Sequence, residues 1–69
     1  MKVTIKTVDG HKEVMDIEPG WTAGHLKKHI ELVMGIPVIN QRLIYLGSPL
    51  LDEQRIEKDS VIHLLYTIS

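Results

Sequence analysis

Pro19-Gly20-Trp21-Thr22-Ala23-Gly24-His25-Leu26-Lys27-Lys28-His29-Ile30-Glu31-Leu32-Val33-Met34-Gly35-Ile36-Pro37 carries a helical repeat between a start signal and a stop signal. Ala23, Leu26, Ile30 and Val33 or Met34 recur at three- and four-residue steps and define one apolar stripe. Thr22 occupies the N-cap position, where its hydroxyl can accept from a free N–H of the first turn. Trp21 precedes that cap and Leu26 is the fourth helical residue, the spacing of a hydrophobic staple. Gly35 supplies a left-handed C-cap and Ile36-Pro37 forbids continuation, so the spacing predicts one helix from Ala23 to about Met34.

The segments on either side alternate with a period of two. Val3 and Ile5 interleave with Lys2, Thr4 and Lys6, which predicts a half-buried strand from about Met1 to Thr7. Asp9-Gly10 reads as a tight turn into a second strand, Lys12 to Ile17, with Met15 and Ile17 on one face and an antiparallel hairpin as the result. Glu13 shares that face and belongs near the sheet end, where its carboxylate reaches water; Val14 points the other way. After the helix, Gln41 to Leu46 is rich in β-favouring residues and stops at Gly47. Leu50 and Leu51 form a very short apolar element, Asp52 to Ser60 is a polar connection interrupted only by Ile56, and Val61 to Ile68 supplies the last strand.

Sixty-nine residues fit one small domain, here residues 1–69, and such a domain buries only about 60% of its unfolded surface. Deep enzymatic pockets are hard to accommodate in so thin a core. A formal charge of −1, from eight Lys plus Arg and nine Asp plus Glu, gives no electrostatic footprint for nucleic acid or an acidic membrane. The absence of cysteine removes thiol nucleophiles, disulfides and thiolate metal sites. No apolar run approaches the ~20 residues of a membrane span, and the first residues do not read as a signal peptide. The expectation is a soluble intracellular domain without cofactor or metal.

A ββαββ order of this length buries its core only by laying the helix across one face of a mixed sheet, an α+β architecture. The first and last strands are expected side by side and parallel in the middle, with the amino-terminal hairpin supplying the outer strands. The opposite face of the sheet then stays open. Alternation sends Ile62, Leu64 and Leu43 toward the helix and His63, Leu65 and Ile44 outward, so Ile44, His63 and Leu65 should meet. Such a patch often marks a binding surface, although single exposed Leu and Ile residues are common on any protein. His63 has no serine, carboxylate or second histidine predicted close enough to make a catalytic set; its use is to hydrogen-bond a partner while covering apolar surface, which makes binding pH-sensitive. His25 and His29 stand one helical turn apart, a spacing that can hold a metal, but with no third predicted ligand they read as a solvated face. Leu32, Val33, Met34, Val38 and Ile39 exceed what one buried stripe requires; they serve packing or a second contact.

Val3-Thr4-Ile5-Lys6-Thr7-Val8-Asp9-Gly10, Glu18-Pro19, Gly35-Ile36-Pro37, Gln41-Arg42-Leu43-Ile44-Tyr45-Leu46-Gly47 and Ile62-His63-Leu64 together resemble the ubiquitin family. The resemblance covers essentially the whole chain, with its register unbroken from Met1 to about Asp52. It implies a ubiquitin-like β-grasp fold. It also implies that Val8 and Gly47 join Ile44, His63 and Leu65 in a patch where partner helices dock, and that Lys6 and Arg42 steer acidic partners. Ser48 and Thr67 stand where the family carries basic residues, which thins the positive rim and implies weaker, more selective binding. Lys27 and Lys58 match linkage lysines. Ile36, Tyr66 and Ile68 resemble a smaller apolar patch used with ligases.

Two departures from the family shape the functional expectation. The connection after Leu51 is several residues shorter and lacks a short helical piece bearing a buried tyrosine. Tyr66-Thr67-Ile68-Ser69 stands where covalent modifiers carry a basic tail ending in Gly-Gly, so the chain as written cannot be conjugated. The resemblance therefore implies a monomeric, non-catalytic interaction domain of a larger cytoplasmic or nuclear protein. It would dock on ubiquitin-binding modules, on a proteasomal receptor, or on ligase or chaperone components. The alternatives are a modifier whose Gly-Gly tail is absent from this chain, a sulfur-carrier relative, which needs the same tail, and an engineered or truncated ubiquitin variant.

Overall fold

In a computed structural model that describes residues 1–67, the chain forms β1 (Lys2–Thr7), β2 (Lys12–Asp16), α1 (Ala23–Met34), a single 3₁₀ turn (Val38–Asn40), β3 (Gln41–Tyr45), β4 (Ser48–Pro49) and β5 (Ser60–Tyr66). The strands make one mixed sheet in the order β2-β1-β5-β3-β4. β1 and β5 are its parallel central pair, Ile5 opposite Ile62 and Lys6 opposite His63. The hairpin contributes only one of the two outer strands, β2; the other edge is β4.

That second edge lies two residues earlier than the Leu50-Leu51 element expected from the apolar pattern. The displacement has a backbone cause. Leu46 and Gly47 both have positive φ, 52° and 80°, the condition for a type I′ turn, so Tyr45 pairs with Ser48 and Ile44 with Pro49. β3 accordingly stops at Tyr45 rather than Leu46. Proline is tolerated at position 49 because an edge strand has one side without ladder partners.

α1 starts and stops where its caps predict. The Thr22 hydroxyl accepts from the His25 N–H at 3.1 Å, and Gly35, at φ 76°, donates its N–H to Glu31 O. Two further first-turn amides are satisfied by the polar connection: Ala23 N–H donates to Gln54 O at 2.8 Å and Gly24 N–H to Asp52 O at 2.9 Å. Gly24 permits this approach, since a Cβ there would lie 3.3 Å from Asp52 O. The shortened connection contains no helix, yet it is tied down further by Ile56 N–H to Trp21 O, by Gly20 N–H to Ile56 O, and by burial of Ile56.

The core is Val3, Ile5, Met15, Ile17, Ala23, Leu26, Ile30, Leu43, Ile56, Ile62 and Leu64. The helical stripe ends at half-buried Met34, while Val33 is exposed, so of the two alternatives at its end Met34 packs inward. Trp21, expected as a staple on Leu26, packs partly against the core and stacks its indole on His25, ring centres 4.1 Å apart, with His29 edge-on at 5.5 Å. Among the described residues no helix is long and apolar enough to cross a membrane.

Candidate functional site

The helix covers one face of the sheet and, among the described residues, no element covers the other, so the outward side chains of the strands contribute to a single surface. On β5, Ile62 and Leu64 are fully buried while Val61, His63 and Leu65 are exposed, as period-two alternation requires. On β3, Leu43 is buried and Ile44 faces out, half-buried by its neighbours. Antiparallel pairing sets Ile44 directly opposite His63 and Arg42 opposite Leu65. Lys6 flanks His63 from the β1 side. The expected meeting of Ile44, His63 and Leu65 is thus present in the register, with Lys6 and Arg42 as its basic neighbours.

Val8 and Gly47 come from turns at the borders of this area. Val8 follows directly after the last β1–β5 pair, Thr7 opposite Leu64, and its side chain is almost wholly exposed. The turn that carries it is closed by Thr7 N–H donating to His11 O at 2.9 Å and by Gly10 N–H donating to Thr7 O at 3.2 Å. Asp9 braces the turn from the side: its carboxylate accepts from the Thr7 hydroxyl and from His11 N–H. These bonds hold the Asp9 carboxyl below the ordinary aspartate value, the Thr7 hydroxyl contributing most. Glu13 is half-buried at this end of the sheet, with its carboxylate 3.5 Å from the His11 imidazole.

Sequence reasoning missed two contributors. Leu46 is 83% exposed at the first central position of the β3–β4 turn, beside Gly47. Pro49 lies across from Ile44 and extends the His63–Ile44 row to the sheet edge. The signal for both was the Leu-Gly pair itself, a two-residue loop whose type dictates the pairing that follows.

The smaller set, Ile36, Tyr66 and Ile68, is partly represented. Ile36 and Tyr66 line an open groove of ≈720 Å³ between the β1–β2 turn and the end of α1, with Val33, Met34, Thr7 and His11 among the other walls; Ile68 lies outside the described residues. Leu32 and Ile39 are strongly exposed, Leu32 on α1 and Ile39 in the 3₁₀ turn, where Ile39 lines an open groove together with Arg42 and Pro49. Lys27, matched above to a linkage lysine, pairs with Asp52 at 2.8 Å. Among the described residues no three histidine or carboxylate side chains come together as metal ligands; the His25–His29 pair instead contacts Trp21.

A five-stranded mixed sheet with a parallel central pair, one helix across one face and an uncovered opposite face is a β-grasp domain. A family model described as the ubiquitin family matches residues 3–68, and the chain belongs to that family. It is 33% identical to ubiquitin-like protein 1 of Schizosaccharomyces pombe, over 99% of this chain and 94% of that protein. It is 32% identical to the NEDD8-like protein RUB3 of Arabidopsis thaliana, with the same shares covered. It is also 36% identical to the large proline-rich protein BAG6 of Danio rerio, over 94% of this chain but 6% of that protein. Ubiquitin-like domains are in general non-catalytic and bind other proteins.

Proposed function

We propose that this ubiquitin-like domain acts by recognition, offering Ile44, His63, Leu65, Val8 and Gly47, with Lys6 and Arg42 beside them, to helical segments of partner proteins. The observation that supports it is the Ile44–His63 pair: an isoleucine and an amphipathic imidazole directly opposed on a sheet face that no other element among the described residues covers. Partners of this reading are ubiquitin-binding helical modules, a proteasomal receptor, or ligase and chaperone components. The parent chain is a larger protein of the cytoplasm or nucleus, and the domain itself is a monomer without catalytic chemistry. Alignment with 6% of a much longer relative favours that embedding.

The test is a backbone amide titration by NMR with a ubiquitin-interacting helical peptide, repeated on Ile44→Ala. Shifts centred on Val8, Ile44, Gly47, His63 and Leu65, with affinity reduced about tenfold or more in the variant, are expected. Shifts confined to Leu32 and Ile39 would sink the proposal. A second reading, a free modifier, is favoured by relatives that the chain covers almost end to end. It requires the full coding sequence to continue from Ser69 into a Gly-Gly terminus.

A further inference from the structure

The open face carries a second group of apolar side chains that the Ile44 surface does not use. Val14 is 59% exposed and Val61 is 46% exposed. Cross-strand pairing brings them together around one small residue: Thr4 on β1 lies opposite Val14 on one side and opposite Val61 on the other. This Val14–Thr4–Val61 row crosses the sheet two residues from the Lys6–His63–Ile44 row. The strands here are otherwise polar on their outward side, and neither valine packs in the core.

The spacing of these rows has a natural complement. Outward residues on a strand repeat about every 6.6 Å. A helix advances about 6 Å in four residues. Leu65, His63 and Val61 along β5 therefore step with positions i, i+4 and i+8 of a helix lying on the sheet. The apolar neighbours change sides along that path: Ile44 flanks the β3 side near Leu65 and His63, whereas Val14 lies on the β1–β2 side near Val61. The path is thus a diagonal that crosses β5.

Charge identifies the partner. Lys2, Lys6, Lys12 and Arg42 all project on this face, at outward positions of β1, β2 and β3. Asp16 is the one carboxylate among the outward residues of the four longer strands. We propose that the docking surface extends to Val14 and Val61, and that its occupant is an acidic amphipathic helix of about three turns with apolar residues at i, i+4 and i+8. This rests on the recognition function proposed above and adds the length, polarity and third anchor of the helix. The competing explanation for the valines, that β-branched residues suit strands, is separable because threonine shares the branching without the second methyl.

The experiment is calorimetric titration with a ~20-residue glutamate-rich helical peptide bearing leucine at i, i+4 and i+8, and with its i+8 Leu→Gln analogue. The proteins are the unsubstituted domain, Ile44→Ala, and Val14→Thr/Val61→Thr, each checked by thermal melting for an intact fold. The double variant is expected to bind the three-leucine peptide about fivefold to tenfold more weakly and to bind the glutamine analogue as the unsubstituted domain does. Equal binding of the three-leucine peptide by the double variant and the unsubstituted domain, with Ile44→Ala still weakened, overturns the extension and leaves the recognition function standing. No loss in Ile44→Ala overturns both.

Discussion

Leu46 adopts φ 52° with its side chain in solvent, a conformation that an L-residue with a full side chain enters at a cost of roughly 1–2 kcal/mol. The turn needs that backbone; nothing in the core needs the leucine. Leu46→Asn, which creates the favoured Asn-Gly pair of a type I′ turn, is expected to stabilise the fold by about 0.5–1 kcal/mol, read as a rise in the urea midpoint at unchanged slope. Its neighbours in β3 separate packing from presentation. Leu43 is buried against the helix and Ile44 is not, so Leu43→Ala is expected to cost ~2–5 kcal/mol, and Ile44→Ala much less, in the same denaturation experiment. Equal losses would mean that the two side chains do not lie on opposite faces. The outward positions of Ile44, His63 and Leu65 were readable because alternation is strict where one sheet face is buried. Leu46 was not, because a hydrophobic residue at the end of a strand pattern looks like one more strand residue until the turn type is considered.

The β1–β2 turn shows what an element contributes beyond its residues. Gly10, at φ 89°, lets the chain reverse, and Asp9 fastens the reversal to Thr7 and His11, which fixes the base from which Val8 projects. The folded pKa of Asp9 lies below its ordinary value of 3.8, so the contribution of these bonds is fully present above that pH and fades as pH falls through the lowered value. Asp9→Asn is therefore expected to be the less stable protein near neutral pH, with the gap closing as pH falls below 3.8 through the lowered value, as measured by urea midpoints across the acid range. A gap of constant size would show that the carboxylate charge is not what braces the turn. Elements whose boundaries depend on local chemistry were legible in advance: α1 runs from the residue after its Thr22 cap to the residue before Gly35. Two other segments were not. β4 is two residues long and takes its position from the Leu46-Gly47 turn, and the Asp52–Asp59 connection is ordered by amides at the start of α1, neither of which leaves a period in the sequence.

Across the whole molecule, a net charge of −1 conceals a separation of sign. Four of the eight basic residues, Lys2, Lys6, Lys12 and Arg42, lie on the open sheet face, and most of the carboxylates lie elsewhere. A face of one sign acts on an approaching partner before contact, over a distance of about 10 Å at moderate ionic strength, and so governs encounter more than residence. For an acidic amphipathic helix, the association rate is expected to fall several-fold between about 20 mM and about 200 mM salt, while the dissociation rate changes little. Arg42→Glu, which places the opposite charge beside Leu65 at an exposed position, should lower the low-salt association rate and flatten its salt dependence without altering the melting temperature by more than a degree or two. Stopped-flow mixing with a fluorescently labelled peptide resolves the two rates. If salt acted chiefly on dissociation, the lysines and Arg42 would be forming tight pairs in the complex; an effect on association alone assigns them to steering, and leaves the residence time to the apolar row that Ile44 and His63 begin.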